Sequence, residues 1–406
     1  MTTARSADDR PATRGPAPDT VVTELEPILP LVARHAGWTN QHRRPHPEVF
    51  EALAAAGLLR LIAPGHYGGR GGGPAAFLTM VETLARVDGS AAWTAMTINE
   101  EIGIASSYLP PASMTELLRD EPEIIIAGSG VAVGRAAPVD GGWRLDGRWG
   151  FVSGVPVADR VVLAARVTGP DPDPSTEAGP GRARRLCFAL VPAVDLVIED
   201  TWHTAGLRGT GSNDVVADGV FVPDRWAGVT EFGAPAVPDT PYYRLPSGLR
   251  FPWPKVGVAV GLARAAIEHF DALARSKKPS FLPELLAQRP SAQAAAARAE
   301  ALTGSGRAWV LSVMAELWQA AADPEPIDPT LHARGRLAAS YAVDSVIAAV
   351  DGLASAAGTT ASKLDGPWPR LQADVRSVGQ HFMVGPQQMQ TAGRVLLGQP
   401  ADDPAF

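Results

Sequence analysis

The chain has 406 residues, 46% of them hydrophobic and 19% charged, with a mean hydropathy of +0.01; a chain that long and that apolar folds around more than one core, so two or three domains are expected and general disorder is excluded. A formal net charge of -7 offers no field for a phosphate polyanion, which argues against a nucleic-acid partner. A single cysteine, Cys187, rules out an internal disulfide or a thiolate metal cluster within one chain and fits a reducing cytoplasm.

Residues 1–18 mix charges with prolines and hold no apolar stretch, so they read as a disordered tail and not as a secretory signal. No run of about 18 apolar residues occurs, as a spanning helix needs, and a soluble protein without membrane contact is expected. Residues 19–120 read as a helical first domain, in which Val49, Phe50, Leu53, Ala56 and Leu61 recur near helix spacing. HYGGRGGG, His66 to Gly73, is too rich in glycine to continue a helix and reads as a loop. Composition shifts at Glu121. Over residues 121–237 the runs IIIAGSGVAV, RVVLAARV, LCFALV and VVADGVFVP alternate with glycine, proline and aspartate, the pattern of a small antiparallel β domain. Thr168 to Arg185 reads as a long, exposed, mobile hairpin loop. Residues 238–406 return to long alanine-rich amphipathic helices from about Val256, expected to form a four-helix bundle and an oligomer contact.

Helices, a small β domain and a helical bundle in that order resemble the acyl-CoA dehydrogenase family, and the resemblance runs from about Pro45 to Gly398. His46 to Gly69 is similar to its opening helix and glycine turn, VDGSAAW (Val87 to Trp93) to its next helix, GGWRLDGRWGFVSG (Gly141 to Gly154) to a β-domain stretch, and Trp202 to Pro223 to the strand pair that closes it. WxFxSG and a late Asp-x6-His mark the two-component flavin monooxygenases of this superfamily; here they are Trp149, Phe151, Ser153 and Gly154, and Asp374 with His381. The resemblance implies an α+β fold with an N-terminal helical domain, a central antiparallel β-barrel domain and a C-terminal four-helix bundle. It also implies an oxygenase that receives FADH2 or FMNH2 from a separate NAD(P)H-dependent flavin reductase. With O2 as co-substrate such an enzyme forms a flavin hydroperoxide and hydroxylates or N-oxidises a secondary metabolite, an aromatic, indole or polyketide ahead of an amino sugar. High alanine, glycine and arginine suit a GC-rich genome, where such enzymes serve antibiotic biosynthesis. Two other readings are an acyl-CoA dehydrogenase proper and a non-catalytic scaffold of the same fold. The first needs a carboxylate base, commonly near the C-terminal bundle, and TAGRVLLGQP (Thr391 to Pro400) holds no glutamate, although some relatives supply that base from another helix.

Oxygen activated by reduced flavin is lost as peroxide unless water is kept out and protons are controlled. The resemblance places Ser153 at the flavin N5 edge and His381 above the isoalloxazine, where an imidazole can give or take a proton near working pH. Gly128 and Ser129 resemble the strand end whose backbone reaches the ring, and Trp149 and Phe151 belong to the same flavin motif. Aromatic hydroxylases of this group carry a second histidine in the helix after DGS-x2-W, but Thr94 to Tyr108 contains none. Asn99, Glu100 or Glu101 stands in that place, as a substrate-orienting or proton-accepting group, or else the glutamates lie on a solvated turn. Arg275 and Gln293 are the candidates for holding flavin phosphates across a subunit interface, with Lys277, Lys278 or Ser280 as alternatives. The loop Ala356 to Ser362, with Gly358, followed by Arg370, resembles the segment that reaches a neighbour's cofactor. A homotetramer built as a dimer of dimers is therefore expected, needed for cofactor binding. LRGTGSND (Leu207 to Asp214) lacks the lysine and strand-to-helix context of a phosphate loop and reads as a turn beside the flavin. The eight histidines show no HExxH spacing and there is no G-x-S-x-G, so neither a metal site nor a hydrolase is expected.

Overall fold

The computed structural model describes residues 15–169, 185–231, 236, 240–281, 283–323, 325–403 and 406. It opens with six helices, α1 (Pro18–Leu25), α2 (Leu29–His42), α3 (Pro47–Ala55), α4 (Pro74–Ala85), α5 (Gly89–Tyr108) and α6 (Pro111–Asp120). Proline stands in the first turn of all but α5, where its missing N–H costs nothing. α5 is capped instead by Asp88, whose carboxylate accepts from the Ser90 and Ala91 amides at 2.7 and 3.1 Å. Residues 1–14 of the expected tail lie outside the described residues; Pro18, its last, opens α1.

Among the described residues seven strands follow, β1 (Ile126–Val139), β2 (Gly142–Val152), β3 (Arg160–Val167), β4 (Arg185–Pro192), β5 (Val197–Glu199), β6 (Asn213–Pro223) and β7 (Ala227–Glu231), in one sheet of order β5-β6-β2-β1-β3-β4-β7. The sheet is antiparallel as expected except between β1 and β3, which run parallel. Of the expected loop 168–185, residues 170–184 lie outside the described residues. Successive side chains point to opposite faces, and the sheet uses both. Val162, Ala164, Leu186, Phe188 and Leu190 face the helices, whereas Val161, Leu163, Cys187 and Ala189 join Trp149 and Val215 in a second core.

Among the described residues seven α-helices follow: α7 (Pro241–Arg244), α8 (Ser247–Arg250), α9 (Pro252–Ser276), α10 (Pro290–Ala320), α11 (Pro329–Ala357), α12 (Trp368–Gly379) and α13 (Gln387–Leu396). α11 runs among α9, α10, α12 and α13. The early and late helices share one continuous core, and Gly257 and Gly261 of α9 make that possible. A Cβ on Gly261 would come within 2.4 Å of the Glu82 carbonyl, so only glycine lets α9 lie against α4. The segment Pro329–Ser362 is long and apolar enough to cross a membrane, but 61% of its apolar window is buried inside the fold, as in a core helix.

Candidate active site

Three elements converge on the indole of Trp93, in the buried helix α5. Its Nε1 donates to Ser153 Oγ, just past β2, at 3.2 Å, and its ring meets the edge of His381, just past α12, with centroids 5.6 Å apart. Ser153 and His381 thus lie on two sides of one side chain. Ser153 Oγ is 2.7 Å from Ser212 Oγ, which is 2.7 Å from Thr210 Oγ1, which donates to the Leu207 carbonyl at 2.9 Å. Each hydroxyl has one proton. Thr210 spends its own on Leu207, so Ser212 must donate to Thr210 and Ser153 to Ser212. The relay is thereby oriented, and Ser153 Oγ is left with acceptor capacity.

On the other side lies charge. Lys255, near the start of α9, holds both carboxylate oxygens of Glu100 at 2.8 and 2.9 Å, and its ammonium lies 5.8 Å from the Trp93 ring centroid. The two side chains are 2% and 9% exposed. Burial pushes Glu100 above the ordinary carboxylate range, against the pull of Lys255. Burial, with Glu100's charge added, pushes Glu101 up to about 8. One Glu101 oxygen is buried with no hydrogen-bond partner among the described residues. It lies against Gly128, where a Cβ would come within 2.5 Å of it. His381 is held well below its usual value, by burial first and the Lys255 charge second. Its Nδ1 accepts from the Met383 amide at 3.2 Å, so the neutral ring carries its proton on Nε2.

Apolar side chains close in sequence to these residues are exposed. Phe151, two residues before Ser153, is 77% exposed with φ of 61°, its ring edge-on to Trp202 at 6.0 Å. Val131 and Val133, just beyond Ser129, are 58% and 52% exposed where β1 leaves its ladder with β3 between Ser129 and Gly134. An acceptor at Ser153 and a donor at His381, on either side of the Trp93 indole, are polar groups of the kind a flavin ring needs.

Sequence and structure comparisons point the same way. Residues 20–108 match the acyl-CoA dehydrogenase N-terminal domain and residues 255–386 the acyl-CoA dehydrogenase C-terminal domain. The chain is 31% identical over 366 residues to the indole-3-acetate monooxygenase of Pseudomonas putida, covering 89% of this chain and 90% of that protein. The chain belongs to the acyl-CoA dehydrogenase family, in its branch of flavin-dependent monooxygenases. It is also 28% identical to the FADH2-dependent resorcinol hydroxylase oxygenase component of a Rhizobium species, over 92% of this chain and 96% of that one. The crystal structure of the 3-HSA hydroxylase from Rhodococcus sp. RHA1 superposes with a TM-score of 0.82 at 26% identity, over 95% and 98% of the two chains.

The family motif residues do not all reach the cluster. Trp149 is fully buried in the sheet core, its Nε1 donating to the Ala164 carbonyl at 2.7 Å, so it supports the sheet and has no face for a ring. Asn99 spends its amide on the Leu58 and Ala95 carbonyls at 2.8 and 3.0 Å, pinning the turn before His66. Asp374 does not pair with His381: it accepts from the Leu207 amide at 2.6 Å and faces Arg370 at 3.5 Å. Arg370 forms ion pairs within its own chain with Asp88 at 2.8 Å and Asp374 at 3.5 Å. Arg275 pairs with Asp271 one helical turn back at the exposed end of α9, and Gln293 donates to the Ala287 carbonyl; neither touches the cluster within this chain. Gly358 ends α11 with φ of 65°, and Lys277, one of the alternatives for the phosphates, donates to the adjoining Ala357 carbonyl and Thr360 hydroxyl, both at 2.7 Å. Gly128 and Ser129 pair with Val162 and Leu163 of β3 beside Glu101. Trp93, Lys255, Thr210 and Ser212 were not singled out from sequence. Lys255 had a signal: it is the one charge in the apolar run FPWPKVGVAVGLA.

Proposed function

We propose that this enzyme is the oxygenase component of a two-component flavin-dependent monooxygenase, supplied with FADH2 or FMNH2 by a separate reductase and acting on a small aromatic or indole-like substrate, by hydroxylation or N-oxidation. The observation that carries the reading is the Ser153–Trp93–His381 cluster with its oriented hydroxyl relay. Reduced flavin, when bound, supplies the two electrons that let one atom of O2 enter the substrate while the other leaves as water. Ser153, its own proton committed to Ser212, offers a lone pair. Of the two redox forms only the reduced one has a hydrogen at N5 to give it. His381, neutral and protonated at Nε2, has that proton to donate, and the Trp93 indole packs between the two side chains, where low exposure to water would strengthen both interactions. Gly128, Ser129 and Phe151 are the ring-side residues of this reading, with Gly358 and Lys277 at the far end of the cofactor.

The substrate class rests on the relatives named for indole-3-acetate and resorcinol, and on the Glu101 carboxyl, whose lone pairs suit an indole N–H or a phenol O–H. A cytoplasmic homotetramer, a dimer of dimers, belongs to the same proposal. The test is turnover with an NADH-driven flavin reductase and a panel of indoles and phenols under 18O2. One 18O in the product is expected. Hydrogen peroxide alone across the panel, or tightly bound oxidised FAD bleached by an acyl-CoA thioester, would overturn it, the latter in favour of a dehydrogenase.

A further inference from the structure

Behind His381 a chain of hydrogen bonds leads away from the cluster to Asp403. Arg336, on α11, has a side chain with no exposure. Its Nε donates to Gln388 Oε1 at 2.8 Å, and its Nη2 reaches the same oxygen and, at 2.9 Å, Asp403 Oδ2. Gln388, 2% exposed on α13, turns its Nε2 to the Phe382 carbonyl at 2.7 Å. Gln387 donates to that carbonyl as well, and Ser340, one turn along from Arg336, donates to the Gly385 carbonyl at 3.2 Å. Inside the turn the Val384 and Gly385 amides share the His381 carbonyl at 3.0 and 2.9 Å, and the Met383 amide fixes the ring at Nδ1.

A glutamine amide has two unlike ends, and a guanidinium can only donate. Arg336 therefore forces Gln388 to present oxygen to it and NH2 to Phe382. A buried charge is a poor way to gain stability, since apolar side chains of similar volume do as well or better. What this one supplies is direction.

We propose that Arg336 is a positioning residue: through Gln388, and anchored by Asp403 near the C-terminus, it holds the turn that sets the His381 imidazole against Trp93, so that the docked C-terminal segment is part of the oxygenase site. The inference rests on the role given to His381 above.

Gln388→Glu separates position from stability, because it keeps the volume and the partner of Arg336 while replacing the NH2 that holds Phe382 by a second acceptor. Arg336→Met and a chain ending at Gln399 are the companion variants. In protein labelled with 15N only in histidine, with the His381 signals assigned by their loss in His381→Ala, Gln388→Glu is expected to shift both ring resonances and mix the tautomers. The melting temperature should stay near that of the parent. Product formed per reduced flavin is expected to fall about tenfold, the scale of loss when a reacting group is misplaced by a fraction of an ångström. Unchanged His381 resonances in Gln388→Glu would overturn the proposal, as would coupling that falls only in step with melting temperature across the three variants. The resonance measurement decides even if no oxygenated product forms, so its failure is distinguishable from failure of the functional reading.

Discussion

Replacing Lys255 by methionine keeps a straight chain of similar volume in α9 but removes the cation that meets both Glu100 oxygens at 2.8 and 2.9 Å, with side chains 2% and 9% exposed. Removing one partner of a buried pair typically costs about 3–5 kcal/mol, because the other charge stays desolvated, whereas replacing both by apolar residues is often neutral. Glu100 is already pushed up by burial, and without Lys255 it takes a proton, which places the expected loss at the lower end, about 3 kcal/mol. The double variant Lys255→Met, Glu100→Met should recover most of it, ending within about 1.5 kcal/mol of the parent. Urea denaturation at constant m-value measures both. The same change should raise the His381 imidazole toward its usual value, since the Lys255 charge is the second cause of its depression. A single variant within about 1 kcal/mol of the parent, or a double variant no better than the single one, would refute the claim that this pair is held out of water.

Glu101 gives a pH signature. Its carboxyl is raised from 4.5 to about 8, so the folded state binds that proton more tightly than the unfolded one. The stability it contributes is present below about pH 4.5 and is lost as pH rises through about 8. Glu101→Gln should therefore match the parent in denaturation midpoint at the acid end and exceed it increasingly toward pH 8; parallel curves would contradict the assignment. Trp149→Ala should cost about 3–5 kcal/mol, the usual range for emptying a buried tryptophan site, while titration of the folded protein with reduced flavin gives an unchanged Kd. A weakened Kd would return Trp149 to the cofactor site.

The β domain was legible because RVVLAARV and LCFALV are apolar enough to be strands of a sheet covered on both faces, and they are β3 and β4. The parallel pairing of β1 with β3 was not, since strand partners are chosen by contacts distant in sequence. Trp149, Phe151 and Ser153 share a period of two and should share a face, but the ladder between β2 and β6 slips between Trp149 and Val152. That slip leaves Trp149 and Val152 both buried and Phe151 outside, and no local pattern announces it. Asn99, Glu100 and Glu101 could not be told apart either. Consecutive residues on a helix point about 100° apart. The three accordingly reach the Leu58 carbonyl, Lys255 and Gly128, and only the packing says which is which.

Asp374 and His381 share a sequence motif, but among the described residues Asp374 has other partners. Its carboxylate receives the Leu207 amide from the sheet region and faces Arg370, which in turn meets Asp88, the cap of α5. Gly209, in the same loop as Leu207, donates to the Ser90 hydroxyl of α5 at 3.2 Å, and a Cβ on Gly206 would lie 2.1 Å from the Ala373 carbonyl of α12. The loop carrying Thr210 and Ser212 is thus clamped between the helix that bears Trp93 and the helix that leads to His381. A hydroxyl relay keeps its direction only if its terminal acceptor, the Leu207 carbonyl, keeps its place. Asp374 fixes the amide of that same residue, which ties its carboxylate to the hydroxyl relay that ends at Ser153.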